Sequence, residues 1–289
     1  MRDISIIGAG KVGTCLAAAL AQKKFKIKAI SCRSLSSAKE SQKIIGQGKA
    51  STNNRQVAEE GQIVFICVPD DKIKKITKEL SGYNLDWSGK VVLHCSGLHP
   101  AAILKEIKDK GASTASFHPL QSFPQKMADI HQFEGIYFGL EGAGEALSVG
   151  EEIAASLGAR VILLRAQDKP AYHTACSFAS NLLLSLLDIA ESLLAKVDLQ
   201  QQPPHSVLFP LVQKTIQNVK NLNTGQALTG PAARGDVSTI RKHLEVLADF
   251  PQYQNIYRQL TVHALQIAAW EKKIPRQKIK ALISLLEDK

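Results

Sequence analysis

Three glycines near the start of the 289-residue sequence have the spacing of a phosphate-binding turn. The apolar run 4–7 leads directly into the segment GAGKVG, and an Ala- and Leu-rich helical pattern over 11–22 follows at once. The first glycine permits a tight turn, the second lets a pyrophosphate approach the backbone, and the third lets the helix pack closely on the strand. The free N–H groups of the helix start then face the anion. The segment therefore predicts dinucleotide binding through Gly8, Ala9, Gly10, Lys11, Val12 and Gly13.

The end of the second predicted strand indicates which dinucleotide is bound. NAD-binding versions of this turn place Asp or Glu about twenty residues after the glycines, where the carboxylate holds a ribose hydroxyl. Here the segment is Ala-Ile-Ser-Cys-Arg-Ser, without an acid. The Arg33 guanidinium can bind a 2′-phosphate, and the hydroxyls of Ser31 and Ser34 can donate to its oxygens. The sequence thus favours NADP(H).

Two further strand ends are expected to border the cofactor. Ligands of such sheets bind beyond the carboxyl ends of the strands. Val68 and Pro69 end one predicted strand, and Ser96 and Gly97 follow the next. We expect these four residues to lie beside the ribose and the nicotinamide.

Polar residues of one helix are the best candidates for catalysis. Hydride transfer to a carbonyl needs a proton donor for the developing alkoxide, and histidine is suited to this near neutral pH. His173 is the predicted donor, and Lys169, four residues earlier, is the cationic alternative. Ser177 and either Ser180 or Asn181 follow at helical spacing on the same stripe. The alternative is a purely structural role, in which His173 packs in the core and Lys169 is a solvated residue at the helix start.

Two other segments are candidates for substrate binding. His118 follows a predicted strand and begins a stretch stiffened by two prolines, so it is expected to line a pocket. Arg234 lies in a Gly- and Pro-rich connection between helices and is a natural clamp for a carboxylate. Asp236 is expected to cap the next helix, although an Arg234–Asp236 surface pair would explain both residues structurally.

The elements that position these residues change character along the chain. Seven apolar segments up to residue 164, with a short eighth near residue 50, alternate with helical patterns, which predicts a mostly parallel sheet covered on both faces. After about residue 165 only helical patterns follow, the first over 170–196. We therefore expect an α/β Rossmann domain over 1–165 and an all-helical domain over 166–289 for substrate binding and dimerisation.

The composition excludes some classes of protein. A hydrophobic fraction of 45% supports a large core, and the net charge of +10 suits an anionic ligand. The basic residues are dispersed without interleaved aromatics, which disfavours a nucleic-acid groove. Five cysteines without a CxxC pair indicate a reduced, cytoplasmic protein and no metal site. The apolar stretch 182–195 contains two acids and is too short to span a membrane, so no membrane partner is expected.

Taken together, these motifs resemble a known family, the Rossmann-like oxidoreductases with a C-terminal DUF2520 domain. The resemblance rests on Gly8–Gly13, Val68-Pro69-Asp70, the segments at 94–97 and 116–120, Tyr172-His173 with Ser180-Asn181, and Gly230-Pro231 with Arg234-Gly235-Asp236. The layout is similar to that of 6-phosphogluconate dehydrogenase and pyrroline-5-carboxylate reductase. It implies NADP binding and a helical domain, like the C-terminal domain of 6-phosphogluconate dehydrogenase, that dimerises and closes the active site.

A subset of this family is understood to be an alternative type of ketopantoate reductase. β-Hydroxyacid dehydrogenases carry Lys-x-x-x-Asn on the corresponding helix, whereas the matching stretch here is taken to be His173–Ser177. We therefore expect an NADP-dependent reductase of a carbonyl or imine in a small carboxylate compound, and a homodimer. The alternative is a non-catalytic NADP-binding sensor or regulatory protein.

Overall fold

The computed structural model describes residues 2–271 and 274–287, which form two compact units that divide between Leu182 and Leu183. The sequence pattern placed the division near residue 165, where the last strand ends. In the structure, residues 166–182 belong to the same unit as the sheet, because Lys169 and Tyr172 contact its strands.

The first unit is built on one eight-stranded sheet with the order β3-β2-β1-β4-β5-β6-β7-β8. All neighbouring strands are parallel except β6 and β7, so the predicted mostly parallel sheet is confirmed. The strands are β1 (Asp3–Ile7), β2 (Lys26–Ser31), β3 (Lys49–Ser51), β4 (Ile63–Ile66), β5 (Val91–His94), β6 (Ser113–Pro119), β7 (Tyr137–Gly142) and β8 (Arg160–Leu163).

Helices cover both faces of this sheet because its central strands are apolar on both sides. Every residue of β4 and β5 is buried, as expected for parallel strands between two helical layers. The helices of the first unit are α1 (Lys11–Gln22), α2 (Leu35–Ile45), α3 (Asn54–Glu60), α4 (Asp70–Gly82), α5 (Lys105–Lys108), α6 (Glu145–Ser156) and α7 (Lys169–Ser177).

The predicted helix over 170–196 is not continuous α-helix. α7 ends at Ser177, a π-helical turn occupies Phe178–Leu182, and the next helix begins at Leu183. A π-turn inserts an extra residue into the helix and shifts the stripe of side chains that follows it. Ser180 and Asn181 lie in this turn, so their relation to His173 differs from the one that regular helical spacing predicts.

The second unit contains helices only, in the part of the chain that the structure describes. They are α8 (Leu183–Leu194), α9 (Pro204–Asn221), α10 (Thr224–Ala227), α11 (Gly230–Arg234), α12 (Val237–Val246), α13 (Pro251–Trp270) and α14 (Arg276–Glu287). Its core lies between α12, α13 and α14, where Ile240, Leu265 and Leu282 are buried. Asp236 caps α12 as predicted, and hydrogen bonds from Thr239 hold the pKa of its carboxyl at about 2.

Candidate active site

The glycine turn between β1 and α1 has the shape that a pyrophosphate requires. Gly8 has a φ of +90°, and the N–H groups of Gly8 and Ala9 donate to the Ser31 carbonyl at 3.0 and 2.8 Å. A Cβ on Gly13 would lie 2.6 Å from the Gly8 carbonyl oxygen, whereas a Cβ on Gly10 would meet no atom within 4 Å. The chain is thus tightly packed at Gly8 and Gly13 and open at Gly10. This is the cradle in which an anion could face the start of α1, at Lys11 and Val12.

Of the three residues predicted at the end of β2 to bind the 2′-phosphate, one is buried and two lie at the surface. The Ser31 hydroxyl is buried and donates to Asn54 Oδ1 at 2.8 Å, so it supports local structure instead of facing a ligand. Arg33 is exposed. Ser34 caps α2 by accepting from the Ser37 N–H at 3.3 Å. Arg33 and the first turn of α2 together form a surface suited to a phosphate.

The turn after β5 is held from below by a buried lysine. Lys169 is fully buried, and its Nζ donates to the Ser96 carbonyl at 3.2 Å and to Ser116 Oγ at 2.6 Å. Ser116 Oγ also donates to the Ser96 carbonyl at 3.1 Å. The structural alternative, a solvated lysine at the helix start, is therefore excluded, because Lys169 is buried. Lys169 instead fixes the backbone of the Ser96-Gly97 turn.

His94 supports the same turn from the strand itself. The Ser96 N–H donates to His94 Nδ1 at 3.2 Å, which leaves Nε2–H to donate to the Pro100 carbonyl at 3.3 Å. Burial, and then the charge of Lys169, lowers the pKa of His94 to about 3. His94 is therefore a neutral imidazole at neutral pH and holds the turn by two hydrogen bonds.

The buried ammonium predicts a dependence of stability on pH. Burial lowers the pKa of Lys169 to about 8, against an ordinary value of about 10.4 in the unfolded chain. Between these values the unfolded state binds more protons than the folded state, so the free energy of unfolding rises with pH across this window. In urea denaturation at pH 7, 8, 9 and 10, the slope of the free energy of unfolding against pH should therefore be more positive in the wild-type protein than in Lys169→Met. Equal slopes would place the Lys169 ammonium in solvent.

Two histidines and a tyrosine meet above the Ser96-Gly97 turn. His118 Nδ1 lies 2.8 Å from the Tyr172 hydroxyl, with the two rings edge to face. The His118 and His173 rings are 6.1 Å apart at 78°. Burial, and then the neighbouring charges of Lys169 and His173, lowers the pKa of His118 to about 4. His118 is therefore neutral at neutral pH, and half-buried His173 lies next to it.

Two glycines make room for this cluster. A Cβ on Gly97 would lie 2.6 Å from His173 Cδ2 and 3.0 Å from His118 Nε2, and a Cβ on Gly139 would lie 2.7 Å from the Tyr172 hydroxyl. Neither glycine has a positive φ. Close approach of the three rings, not backbone conformation, is what requires glycine at these two positions.

The cluster lines one of two adjoining cavities. The larger, of about 640 Å³, is lined by His118, Tyr172, His173 and Ser177 among others. The second, of about 480 Å³, lies against the glycine turn and is lined by Gly10, Lys11, Val12, Val68 and Pro69 among others. Four polar residues line both cavities: Gln121, Ser122, Ser180 and Asn181. The anion cradle and the histidine pair therefore open onto a common boundary.

Most of the predicted site residues thus meet within the first unit. Ser177 lines the larger cavity, but its hydroxyl donates to the His173 carbonyl at 3.1 Å. Arg234 lies in the second unit, exposed at the end of α11. Its assignment to a substrate carboxylate stays a prediction.

Three residues around the cavities were given no role in the site by the sequence analysis. They are Tyr172, Gln121 and Ser122, which line the cavities only because distant segments of the chain pack together. A tyrosine directly before the candidate histidine, and polar residues directly after a strand end, were the available signals.

Comparison with known proteins agrees with this architecture. A Rossmann-like domain matches residues 2–119, and the domain of unknown function DUF2520 matches residues 136–264. No curated protein matches the chain. Two solved structures are 26% identical to it: a candidate NADP oxidoreductase, BF3122, from Bacteroides fragilis and the protein TM1727 from Thermotoga maritima.

These two similarities extend over nearly the whole of each chain. The Bacteroides match covers 92% of this chain and 98% of that one with a TM-score of 0.79, and the Thermotoga match covers 93% and 99% with a TM-score of 0.71. A pyrroline-5-carboxylate reductase from Coxiella burnetii shares the fold, at 16% identity, 97% and 98% coverage and a TM-score of 0.59. The chain thus combines a Rossmann-like domain with a DUF2520 domain.

Proposed function

We propose that this protein is an NADP-dependent oxidoreductase that transfers hydride between NADPH and a carbonyl or imine of a small carboxylate substrate. The observation that carries the proposal is the common boundary of the two cavities. One cavity lies against the glycine turn, the other is lined by the neighbouring side chains of His118 and His173, and four residues line both. A nicotinamide held from the first cavity would meet a substrate held in the second.

The residues present fit NADP(H). The open space at Gly10 and the uncapped start of α1 suit the pyrophosphate. Arg33 with the first turn of α2 suits the 2′-phosphate, and Val68, Pro69 and the Ser96-Gly97 turn lie at strand ends, where such ligands bind. The similar Bacteroides protein is described as an NADP oxidoreductase. NADPH supplies the hydride when it is bound.

We assign to His173 the role of proton donor to the reduced double bond. Its ring is half-buried at the cavity wall, next to the Gly97 backbone, whereas Lys169 is fully buried and bound to Ser96 and Ser116. A protonated His173 would give its proton to the oxygen or nitrogen of the reduced double bond. Ser180 and Asn181, at the boundary between the cavities, would orient that group.

Ketopantoate is the specific substrate that we propose to test first. Purified protein would be mixed with NADPH and a panel of 2-keto acids, including ketopantoate, and cyclic imino acids, and NADPH absorbance followed. Oxidation of NADPH with at least one panel member is expected. Tight NADPH binding without turnover on any member would favour a sensor or regulatory protein instead.

The choice of NADP over NAD predicts a selective effect at Arg33. Arg33→Ala removes a charged partner of the 2′-phosphate, so the Kd for NADPH should rise about 10- to 100-fold while the Kd for NADH changes little. Titration calorimetry with both cofactors measures this. Lys43→Ala, which removes a positive charge from the other end of α2, is the matched control and should leave both values unchanged. An equal loss for both cofactors would contradict a 2′-phosphate contact.

The assembly and location are also proposed. α8 and α9 have no buried residue and expose large side chains such as Leu184, Phe209 and Leu211, which a second copy of the chain could cover. The helical stretch Ala166–Leu194 is long and apolar enough to cross a membrane by length and composition. Its first turns, however, contact β6 and β7 through Lys169 and Tyr172. We therefore favour a soluble, cytoplasmic homodimer.

A further inference from the structure

The two nitrogens of His118 face different surroundings. Nδ1 lies 2.8 Å from the Tyr172 hydroxyl. The opposite edge of the ring, with Cε1 and Nε2, lies beside Gly97 in the turn that is expected to border the nicotinamide. Whichever nitrogen carries the hydrogen therefore decides whether His118 offers a donor or an acceptor on the Gly97 side.

The chemistry of the pair decides the direction of the hydrogen bond. A phenol is a far stronger acid than a neutral imidazole, so the Tyr172 O–H donates and His118 Nδ1 accepts. Cys176 also lies within reach of the Tyr172 hydroxyl, but a thiol sulfur is a weak acceptor and does not compete well with an imidazole nitrogen. Burial raises the pKa of Tyr172 well above its usual value, which keeps the proton on the phenol.

Packing makes this arrangement rigid. Gly139 lets the Tyr172 ring lie against β7, where any Cβ would be 2.7 Å from its hydroxyl. His118 lies at the end of β6, which pairs with β7 through His118 and Gly139 themselves. The hydrogen-bonded pair therefore rests on two neighbouring strands, and rigid elements hold site residues more accurately than loops.

We propose that Tyr172 is a positioning residue that fixes His118 as the Nε2–H tautomer, so that His118 donates a hydrogen bond to the reacting oxygen or nitrogen of the substrate. His118 and His173 then have different tasks. His118 stays neutral and orients the double bond, while His173 supplies the proton. This assignment rests on the proposed function, but the tautomer itself is a property of the protein without substrate.

The tautomer can be measured directly. Long-range ¹H–¹⁵N correlation spectra of the full-length protein labelled with ¹⁵N-histidine distinguish a protonated from a bare ring nitrogen. The spectrum of the His118→Gln variant identifies the His118 signals, because they are the ones that disappear. We expect a bare Nδ1 and a protonated Nε2 in the wild-type protein at pH 7. A protonated Nδ1 with a bare Nε2, or a doubly protonated ring, would overturn the proposal.

Removal of the phenol hydroxyl tests the positioning role. In Tyr172→Phe, His118 should lose its tautomer preference, and kcat should fall about 10- to 100-fold while the Kd for NADPH stays within twofold. Cys176→Ala removes the competing sulfur on the same helix and should leave the tautomer unchanged. An unchanged spectrum in Tyr172→Phe would overturn the role of Tyr172.

The outcomes separate this inference from the proposed function. A wild-type protein that oxidises NADPH with no panel substrate would contradict the proposed reaction, yet the spectrum would still show which nitrogen of His118 is protonated. Should Tyr172→Phe fail to fold, the wild-type spectrum alone decides between the two tautomers.

Discussion

Replacing His173 by alanine is expected to lower the rate of the chemical step by about 10²- to 10⁴-fold, the usual contribution of a positioned acid. The side chain lines the larger cavity and lies against Gly97, and it does not line the cavity at the glycine turn. The Kd for NADPH should therefore stay near that of the wild-type protein. Single-turnover oxidation of NADPH, with calorimetry for binding, measures both quantities.

His131 provides the matched control for this experiment. It is exposed and pairs with Glu134, and it lines neither cavity. His131→Ala should leave the rate and the cofactor affinity unchanged. A His173→Ala protein with the wild-type rate would remove His173 from the mechanism and return attention to Lys169.

A single methyl group on Gly10 should abolish most cofactor binding without harming the fold. A Cβ at this position meets no protein atom within 4 Å, and the φ of −77° is open to any residue. The added methyl group would instead occupy the space that the pyrophosphate needs. If the methyl group prevents two charge-assisted hydrogen bonds between backbone N–H groups and the pyrophosphate, the Kd for NADPH should rise about 100-fold or more.

The stability measurement makes this prediction specific. Thermal unfolding of Gly10→Ala should match the wild-type protein, and so should Gly82→Ala, a control glycine at the end of α4 that also has open space around its Cβ. Gly82→Ala should bind NADPH normally. Gly13→Ala is a poorer test, because its Cβ would strike the Gly8 carbonyl at 2.6 Å and disturb the fold itself. Normal binding by Gly10→Ala would show that the pyrophosphate lies elsewhere.

Much of the fold could be predicted because its signals are local. Each apolar run that the sequence analysis assigned to the sheet is a strand, and α1 spans Lys11–Gln22 as the pattern after the glycines indicated. A parallel sheet covered by helices leaves continuous apolar segments in the sequence, and a phosphate-binding turn leaves glycines at fixed spacing. The NADP preference came from the absence of an acid after β2, which is again a local feature.

The errors arose where side chains from distant segments meet. For Lys169 the sequence left open a proton donor or a solvated residue, because nothing in its neighbourhood indicates that Ser116 and the Ser96 carbonyl bind it. Ser31 was expected to face the phosphate, but its hydroxyl donates to Asn54. Long-range partners of this kind are set by packing and leave no periodic pattern in the sequence.

Local spacing of glycines and apolar residues was thus enough to predict the Rossmann architecture, the helical second half and the glycine turn between β1 and α1. The Tyr172–His118–His173 cluster, the shared boundary of the two cavities and the burial of Lys169 emerge only when β5, β6, β7 and α7 pack together. The physical reason is that backbone preferences act over a few residues, whereas a site is made by contacts between segments far apart in the chain.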